Sequence, residues 1–457
     1  MKRFAYGAFL TVFMCGACGV FGACGPPSTV APSTKPNIVF ILADDLGYGD
    51  VGSYGCPDIS TPEIDLLATQ GVRFTHFYSN GPECSPTRTA FMTGRYQQRA
   101  GGLECAIGVA NVGRYDDAIR LRETRDLGLP ASETSIARLL NLAGYETALY
   151  GKWHLGYERK FFPDRHGFED SFGPLGGAVD YFYHTEPDGT PMLYENGERV
   201  RREGYLTDLI TGKAVAFLRR RKDRPFFLYV PYTAPHTPYQ GPADRTDTPK
   251  NPENWNQGTR QTFAAMVERM DRGVGLILRT LREEGFENNT LLIFASDNGA
   301  NRVGRNLPYS GTKGGLYEGG IRVPCIARWP GVLPAGAVTD RATLTMDLTA
   351  SIAGAAGVTP SRPYDGVNIL EDIAKNRPHR KRALFWRARR GGRTWKAVRD
   401  GSLKYLSRKD GDEFEEYLFD LKSDPGETSD LGATRKADLE RLKGLMAKWE
   451  AEVRAIR

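Results

Sequence analysis

The chain is short of histidine and of usable cysteine. Six His are spread over 457 residues with no clustered pair, which argues against a dinuclear zinc centre built on imidazoles. Of seven Cys, Cys15, Cys18 and Cys24 fall in the first 24 residues, and the spacing of Cys56, Cys84, Cys105 and Cys325 matches no metal knuckle. Charge of one sign is also scarce. With 61 Lys+Arg against 55 Asp+Glu the formal charge is +6, too small for a nucleic-acid binder, so no nucleic-acid partner is expected. A content of 40% hydrophobic and 25% charged residues argues against disorder, a coiled coil or a multispan membrane protein.

What is present begins with an export signal. Lys2 and Arg3 precede an uncharged run from Phe4 to Ala23, and residues 25–36 are rich in Pro, Ser and Thr. Residues 1–24 are therefore expected to be a signal peptide and 25–36 a linker. Gly22 and Ala23 before Cys24 suit cleavage of lipoprotein type, with Cys24 as the site of a membrane lipid anchor and Cys18 as its rival. The expected location is the periplasm or outer membrane of a bacterium, or secretion. In that oxidising setting the four later Cys would allow two disulfides.

Strand-length apolar runs at Asn37–Ala43, Glu146–Tyr150, Pro225–Val230 and Leu291–Ser296 alternate with helical patterns. Ser132–Ala143 is one such pattern, and Phe263 to Leu281 is another, closed by Gly285. The reading is an open α/β catalytic domain over 37–360, with a large, mostly parallel sheet between helices. From 361 to 457 short runs separated by Asp-Gly turns predict a small antiparallel sheet. A last helix carries Leu439, Leu442, Met446, Trp449 and Val453 on one face.

The residues after the strands carry the chemistry. The four runs lead into Asp44-Asp45, Gly151-Lys152-Trp-His154, a loop reaching His236, and Asp297-Asn298-Gly299. Carboxyl ends of strands in open α/β sheets converge on one crevice, so these groups are expected to meet. Three carboxylates and an amide oxygen are hard ligands, favouring Ca²⁺, and after it Mg²⁺, over zinc. Taken singly, Asp-Asn-Gly would be an ordinary turn; its placement after a strand makes it a ligand loop.

Cys84 lies at the start of Cys84-Ser-Pro-Thr-Arg88, where Ser85 can cap and Pro86 can start a helix. The helix amino end favours an anion, and Arg88, one turn later, can point to the same side. A lone Cys is more often structural; the Cys-x-Pro-x-Arg pattern overrides that.

Cys84-Ser-Pro-Thr-Arg88 with Thr93-Gly94-Arg95 resembles the signature of the type I, arylsulfatase-like sulfatases of the alkaline-phosphatase-like superfamily. The other motifs agree in order, including Gly151-Lys152-Trp-His154-Leu-Gly156, Ala234-Pro-His236, Ser296-Asp297-Asn298-Gly299 and Gly311-Thr-Lys313. The resemblance implies that Cys84 is oxidised to formylglycine by a formylglycine-generating or radical maturation enzyme. It also implies Ca²⁺ held by Asp44, Asp45, Asp297, Asn298 and the modified Cys84.

By the same resemblance Arg88 and Lys152 hold the hydrated nucleophile and its charge, and His154 is the base that expels sulfate from a covalent enzyme-sulfate intermediate. Lys313 and His236 stand on the sulfate and leaving-group side, either one able to protonate the departing oxygen. Lys152, His236 and Lys313 thus count as substrate-binding residues. Asp180 and His184, in a Gly-rich insertion, and Arg302, after the metal loop, are further candidates for substrate contact, with Tyr181 and Arg305 beside them. The Arg387–Arg393 run is expected to be a solvated face, His166 to order a loop, and His76 and His379 to be structural or solvent-facing.

The activity expected is hydrolysis of sulfate esters of a sulfated carbohydrate, of the N-acetylgalactosamine-6-sulfatase kind or another glycan exo-sulfatase. The alternative is a formylglycine-dependent phosphonate or phosphodiester hydrolase. A non-catalytic glycan-binding module is a third reading, requiring Cys84 to stay a thiol.

Overall fold

The computed structural model describes residues 35–453 except 102, 109–115 and 221–222. The expected signal peptide, most of the linker, Cys15, Cys18 and Cys24 lie outside the described residues. The centre is a ten-stranded sheet. Its middle is Thr290–Ser296, Asn37–Ala43, Phe226–Pro231, Glu146–Tyr150 and Asp170–Pro174, side by side and parallel. Cys325–Arg328 runs antiparallel between Thr290–Ser296 and Val72–Phe74, and the far edge is closed by antiparallel Leu193–Glu195 and Glu198–Arg199. The central strands are buried on both faces, which is why they read as unbroken apolar runs.

Helices cover both faces. Pro62–Gln70, Leu206–Arg219 and the long Arg260–Glu283 pack together. Cys84–Thr93, Ile136–Leu142 and Thr345–Ala356 form another group. Two helix starts differ from expectation. The Ser132–Ala143 pattern becomes helical only at Ile136, because the Ser135 hydroxyl accepts the Arg138 N–H and caps it there. Ser85 does not cap its helix: Glu83 is the flanking residue, and the Ser85 hydroxyl donates to the His154 carbonyl at 2.9 Å.

The C-terminal meander is present with longer strands than the apolar runs marked: Ala383–Arg390, Arg393–Asp400, Leu403–Asp410 and Glu413–Asp420, all antiparallel. The helix Lys436–Glu452 lays Leu442, Met446 and Trp449 against it, a core of its own beside the main one. The sheet is tied down by buried ions. Lys404, fully buried, lies 2.9 Å from Glu318 and 2.8 Å from Glu427, and Tyr78 donates its hydroxyl to Glu318.

The Arg387–Arg393 run is a solvated face at Arg390 and Arg393, which are exposed; at Arg387 and Arg389 that expectation is corrected. Arg387 and Arg389 both bind the buried carboxylate of Glu104, and Arg390 binds Glu83, next to Cys84 in sequence. These cations clamp the meander to the loops around Cys84. Among the described residues Cys56, Cys84, Cys105 and Cys325 are all free thiols, so the two disulfides that four Cys would allow are not made.

Replacing Lys404 by Met removes the one cation shared by two buried carboxylates. A loss of about 3–5 kcal/mol in unfolding free energy is expected, read by urea denaturation. A change under 1 kcal/mol would show that Glu318 and Glu427 do not depend on that charge.

Candidate active site

Strand register brings the motifs together. Ala43 pairs with Ser296 and Leu42 with Pro231, so the residues that follow leave the sheet at one level. The backbones stay laced beyond the strands: Asp297 N–H donates to Ala43 O at 3.1 Å, Asp44 N–H to Ala234 O at 3.1 Å, and Lys152 N–H to Pro231 O at 2.7 Å. Two glycines permit this closeness. A Cβ on Gly151, whose φ is +138°, would sit 1.9 Å from Pro231 O, and one on Gly299 would sit 1.9 Å from Gly319 O. Gly299 therefore serves close approach of two loops, not a turn.

Cys84 is the first residue of its helix, as the sequence implied for the nucleophile. Its Sγ lies 3.2 Å from Asp44 Oδ1, 3.4 Å from Lys152 Nζ and 3.7 Å from Lys313 Nζ. Arg88, one turn on, is buried and grips Asp297 Oδ2 through Nε and Nη2 at 3.1 and 2.8 Å, while Nη1 donates to Lys152 O. Lys152 pairs with Asp44, and Lys313 pairs with Asp45 at 2.7 Å. Three carboxylates thus face three permanent cations in one buried cluster.

Burial sets the protonation states. It pushes the Cys84 thiol well above its ordinary value, and the nearby Asp297 and Asp44 carboxylates push the same way. The thiol is therefore held as a thiol, a poor nucleophile. Burial, aided by the Lys152 charge, holds His154 far below the usual histidine range. For His236 burial is again the first cause and Lys313 the second, bringing it to about 3. Burial alone would lower Lys313, but Asp45 and the other anionic groups hold its ammonium well above the usual lysine value.

Both imidazoles are oriented by carbonyls. His154 Nε2 contacts Ile107 O, leaving its buried Nδ1 with no hydrogen-bond partner. His236 Nδ1 is 2.7 Å from Thr237 O, so Nε2 is the atom facing Asp45 Oδ2, at 3.7 Å. Solvent reaches the cluster on one side: the Lys313 and His236 side chains are 16% and 14% exposed, whereas Cys84, Arg88, Lys152 and His154 are at 2% or less. Beside Lys313 opens a cleft of about 600 Å³ lined by Glu83, Tyr317, Arg390, Arg393 and Trp395.

The donor set suits a hard divalent cation. Oxygen and sulfur atoms of Asp44, Asp45 and Cys84, with a His236 nitrogen, lie within 4.8 Å of one another. Asp297 joins them through the Asp45 N–H, which donates to its Oδ1 at 3.2 Å. Asn298 joins them through its Nδ2, which donates to Asp45 Oδ1 at 2.7 Å. Asn298 Oδ1 is buried and has no hydrogen-bond partner, a lone pair that a cation would satisfy. His236 stands in this group although the sequence placed it on the substrate side alone.

Compared with known proteins, the family model described as Sulfatase matches residues 36–358. N-acetylgalactosamine-6-sulfatase of Homo sapiens is 32% identical over 387 residues, 80% of this chain and 70% of that one. The chain belongs to the sulfatase family. It is thus a sulfuric ester hydrolase by kinship. Steryl-sulfatase of Rattus norvegicus is 30% identical over 462 residues, 80% of this chain and 77% of the relative. The crystal structure of Ps i-CgsB in complex with k-i-k-neocarrahexaose is similar with a TM-score of 0.78 and 34% identity, covering 91% of this chain and 92% of that one.

Two expected substrate contacts of this sulfatase-family chain are placed otherwise. Asp180 is fully buried, and its oxygens accept the N–H groups of Phe182, Tyr183 and Lys250 and the Gln240 amide, which spends them on ordering the insertion. His184 is buried with φ +57° and its Nε2 lies 3.2 Å from Gly204 O, another internal contact. Their neighbour Tyr181 supports the site instead, its hydroxyl lying 2.8 Å from Thr233 O and 2.9 Å from His236 O. Arg302 is exposed, whereas Arg305 reaches Asp58 and its N–H binds Asp50. His166 is buried against the Trp153 ring.

Glu83 and Trp395 were not singled out from the sequence. Glu83 sits inside the motif, but a carboxylate there gives no hint that it receives Ala106 N–H and Arg390 from distant segments. Protein stripped of metal is expected to gain thermal stability on addition of Ca²⁺, about 2.7 kcal/mol at a hundredfold excess over Kd. Asp45→Asn should lose that gain. An unchanged melting temperature in the unsubstituted protein would count against a cation here.

Proposed function

We propose that this chain is an exported, Ca²⁺-dependent sulfatase that releases sulfate from a sulfated carbohydrate, with Cys84 converted to formylglycine. One observation carries the reading: residue 84 sits at a helix amino end, inside a buried cluster of three carboxylates and three cations in which Lys313 and His236 are the more exposed groups. A buried thiol held protonated is ill suited to attack sulfur. Hydrated formylglycine supplies a hydroxyl nucleophile and a second hydroxyl for release. Asp44, Asp45, Asp297, Asn298 and residue 84 would hold Ca²⁺, which when bound supplies a Lewis acid for the nucleophile and the sulfate oxygens.

The chain's own groups divide the remaining work. Arg88 fixes Asp297 and, with Lys152, places fixed positive charge beside residue 84, where negative charge develops. His154 is kept neutral, with its proton on the nitrogen facing Ile107 O, so Nδ1 is the free base that removes a proton from the nucleophile's second hydroxyl. Lys313 and His236 line the way in, and the leaving oxygen departs past them. Lys313, held as an ammonium by Asp45, carries a proton to deliver, whereas His236, held neutral by burial, must first acquire one.

A carbohydrate is favoured by the cleft next to Lys313. Trp395 offers a ring face for a pyranose, and Arg390 and Arg393 offer N–H groups to its hydroxyl or anionic substituents. The relatives named for N-acetylgalactosamine-6-sulfate and the structure obtained with neocarrahexaose support the same class. The segment through Cys24 supplies the export signal and a lipid-anchor site.

Three outcomes are expected. Mass spectrometry of the Cys84 peptide, from protein made with a maturation system, should show the aldehyde. An unmodified thiol in a host that matures a control sulfatase would refute the mechanism, and sulfated-glycan binding by that unmodified protein with no sulfate released would replace it with a binding module. His154→Ala should lower kcat for 4-nitrophenyl sulfate by about 10²–10⁴. Of Lys313→Ala and His236→Ala, the variant lacking the acid should lose more on poor leaving groups than on 4-nitrophenol; equal losses on both substrates would deny that residue the acid role. Faster turnover of a matched aryl phosphonate than of the aryl sulfate would favour the phosphonate hydrolase.

A further inference from the structure

A second cavity, of about 790 Å³, lies at the seam between the main domain and the C-terminal sheet. It is not the catalytic pocket. The strand Arg393–Asp400 has its first residue in the cleft beside Lys313 and its last in this cavity, roughly 23 Å away at about 3.3 Å per residue.

The walls are cationic in an unusual way. Arg322, Arg341 and Arg399 line the cavity and are 4%, 8% and 7% exposed. Arg322 has Glu318 as a partner, which Lys404 also uses. Arg341 donates only to the carbonyls of Pro378 and Arg377. Arg399 donates to Gly401 O and to the Tyr78 hydroxyl. Among the described residues, neither Arg341 nor Arg399 has a carboxylate within ion-pair distance. Arg399 reaches the Glu318 carboxylate through the Tyr78 hydroxyl and Arg341 meets only carbonyl oxygens, so an anion in the cavity would give both guanidinium groups a direct charged partner.

The rim repeats the sign. Lys381 and Lys422 are exposed there without an ion pair among the described residues, while of the two rim carboxylates Asp400 is paired with Arg441 and the exposed Asp340 lies 3.5 Å from His379 Nε2. His76, also on the wall, reports the field. Burial first, then Arg322 and Arg399, depress its protonation to about 4. Ile369, Leu384 and Leu421 add apolar surface, and the volume is that of a small-molecule site rather than of a single ion.

We propose that this cavity is a second, non-catalytic site that takes a sulfated sugar unit of a polyanionic glycan, anchoring the chain whose sulfates the catalytic pocket removes. The choice of a glycan sulfate over free inorganic sulfate rests on the function proposed above; the choice of a tetrahedral oxyanion rests on the arginines.

The test is calorimetric binding of a sulfated carrageenan hexasaccharide to the Cys84→Ala protein, which cannot turn it over. Two binding events per chain are expected. In the same background Lys381→Glu with Lys422→Glu should abolish one event or weaken it at least tenfold, and Lys→Arg at both positions should retain it. With Cys84 intact and matured, the Glu pair should hydrolyse 4-nitrophenyl sulfate with unchanged kcat/KM and melt at an unchanged temperature, which excludes misfolding. An identical isotherm for the Glu pair would overturn the proposal. Displacement of the probe from this site by equimolar sodium sulfate, but not by sodium chloride at the same ionic strength, would overturn the glycan assignment in favour of a free-anion site. Should no protein release sulfate from any substrate, the catalytic reading fails, while the stoichiometry still decides whether the cavity binds a sulfated chain.

Discussion

Three carboxylates buried at the carboxyl edge of a parallel sheet would repel one another and forfeit their hydration unless positive charge met them at the same depth. Asp44, Asp45 and Asp297 are held there because Arg88, Lys152 and Lys313 arrive from three separate segments. The rest of the architecture serves that meeting. The register of Asn37–Ala43 with its two neighbours sets the depth, Gly151 and Gly299 allow the loops to touch, and the helix from Cys84 presents both residue 84 and Arg88 to the same carboxylates. Electrostatic compensation of the buried acids and assembly of the catalytic groups are one event. A divalent cation added to this balanced set leaves net positive charge, which suits an anionic ester.

The same logic extends outward. Glu83 and Glu104, beside the nucleophile loop, are neutralised by Arg390, Arg387 and Arg389 from the C-terminal sheet. Glu318 meets Lys404 and Arg322, and Lys404, from the strand Leu403–Asp410, also meets Glu427. The small sheet is therefore more than an appendage: it shapes one wall of the cleft beside Lys313 and, at its other end, one wall of the cationic cavity. Where these pairs close, the cations are structural. Where no carboxylate lies within ion-pair distance, at Arg341 and Arg399, the proposed second site draws its charge.

Much of this was legible in the order of residues. Buried parallel strands must be apolar throughout, so Asn37–Ala43 and Glu146–Tyr150 could be bounded to the residue. Loops after such strands converge by topology, so the acids, Lys152 and the two histidines could be assigned to one pocket, and Lys313 by the family resemblance. What misled was the insertion near residue 180 and the basic run near residue 390. A polar side chain in a loop has the same appearance in sequence whether it meets substrate or its own backbone, and Asp180 proves to bind N–H groups within the chain. The Arg run looked solvated because its partners, Glu83 and Glu104, lie about three hundred residues earlier.

Sequence alone determined the main strands, the fold class and the family motifs, because these follow from local pattern and from a few adjacent residues. Tertiary structure alone decided the pairing of charges, the side from which solvent enters, the nitrogen of each imidazole that is free, and the existence of a second cationic cavity. Those properties belong to distances between segments far apart in the chain, and they depend on burial, which no single segment carries by itself.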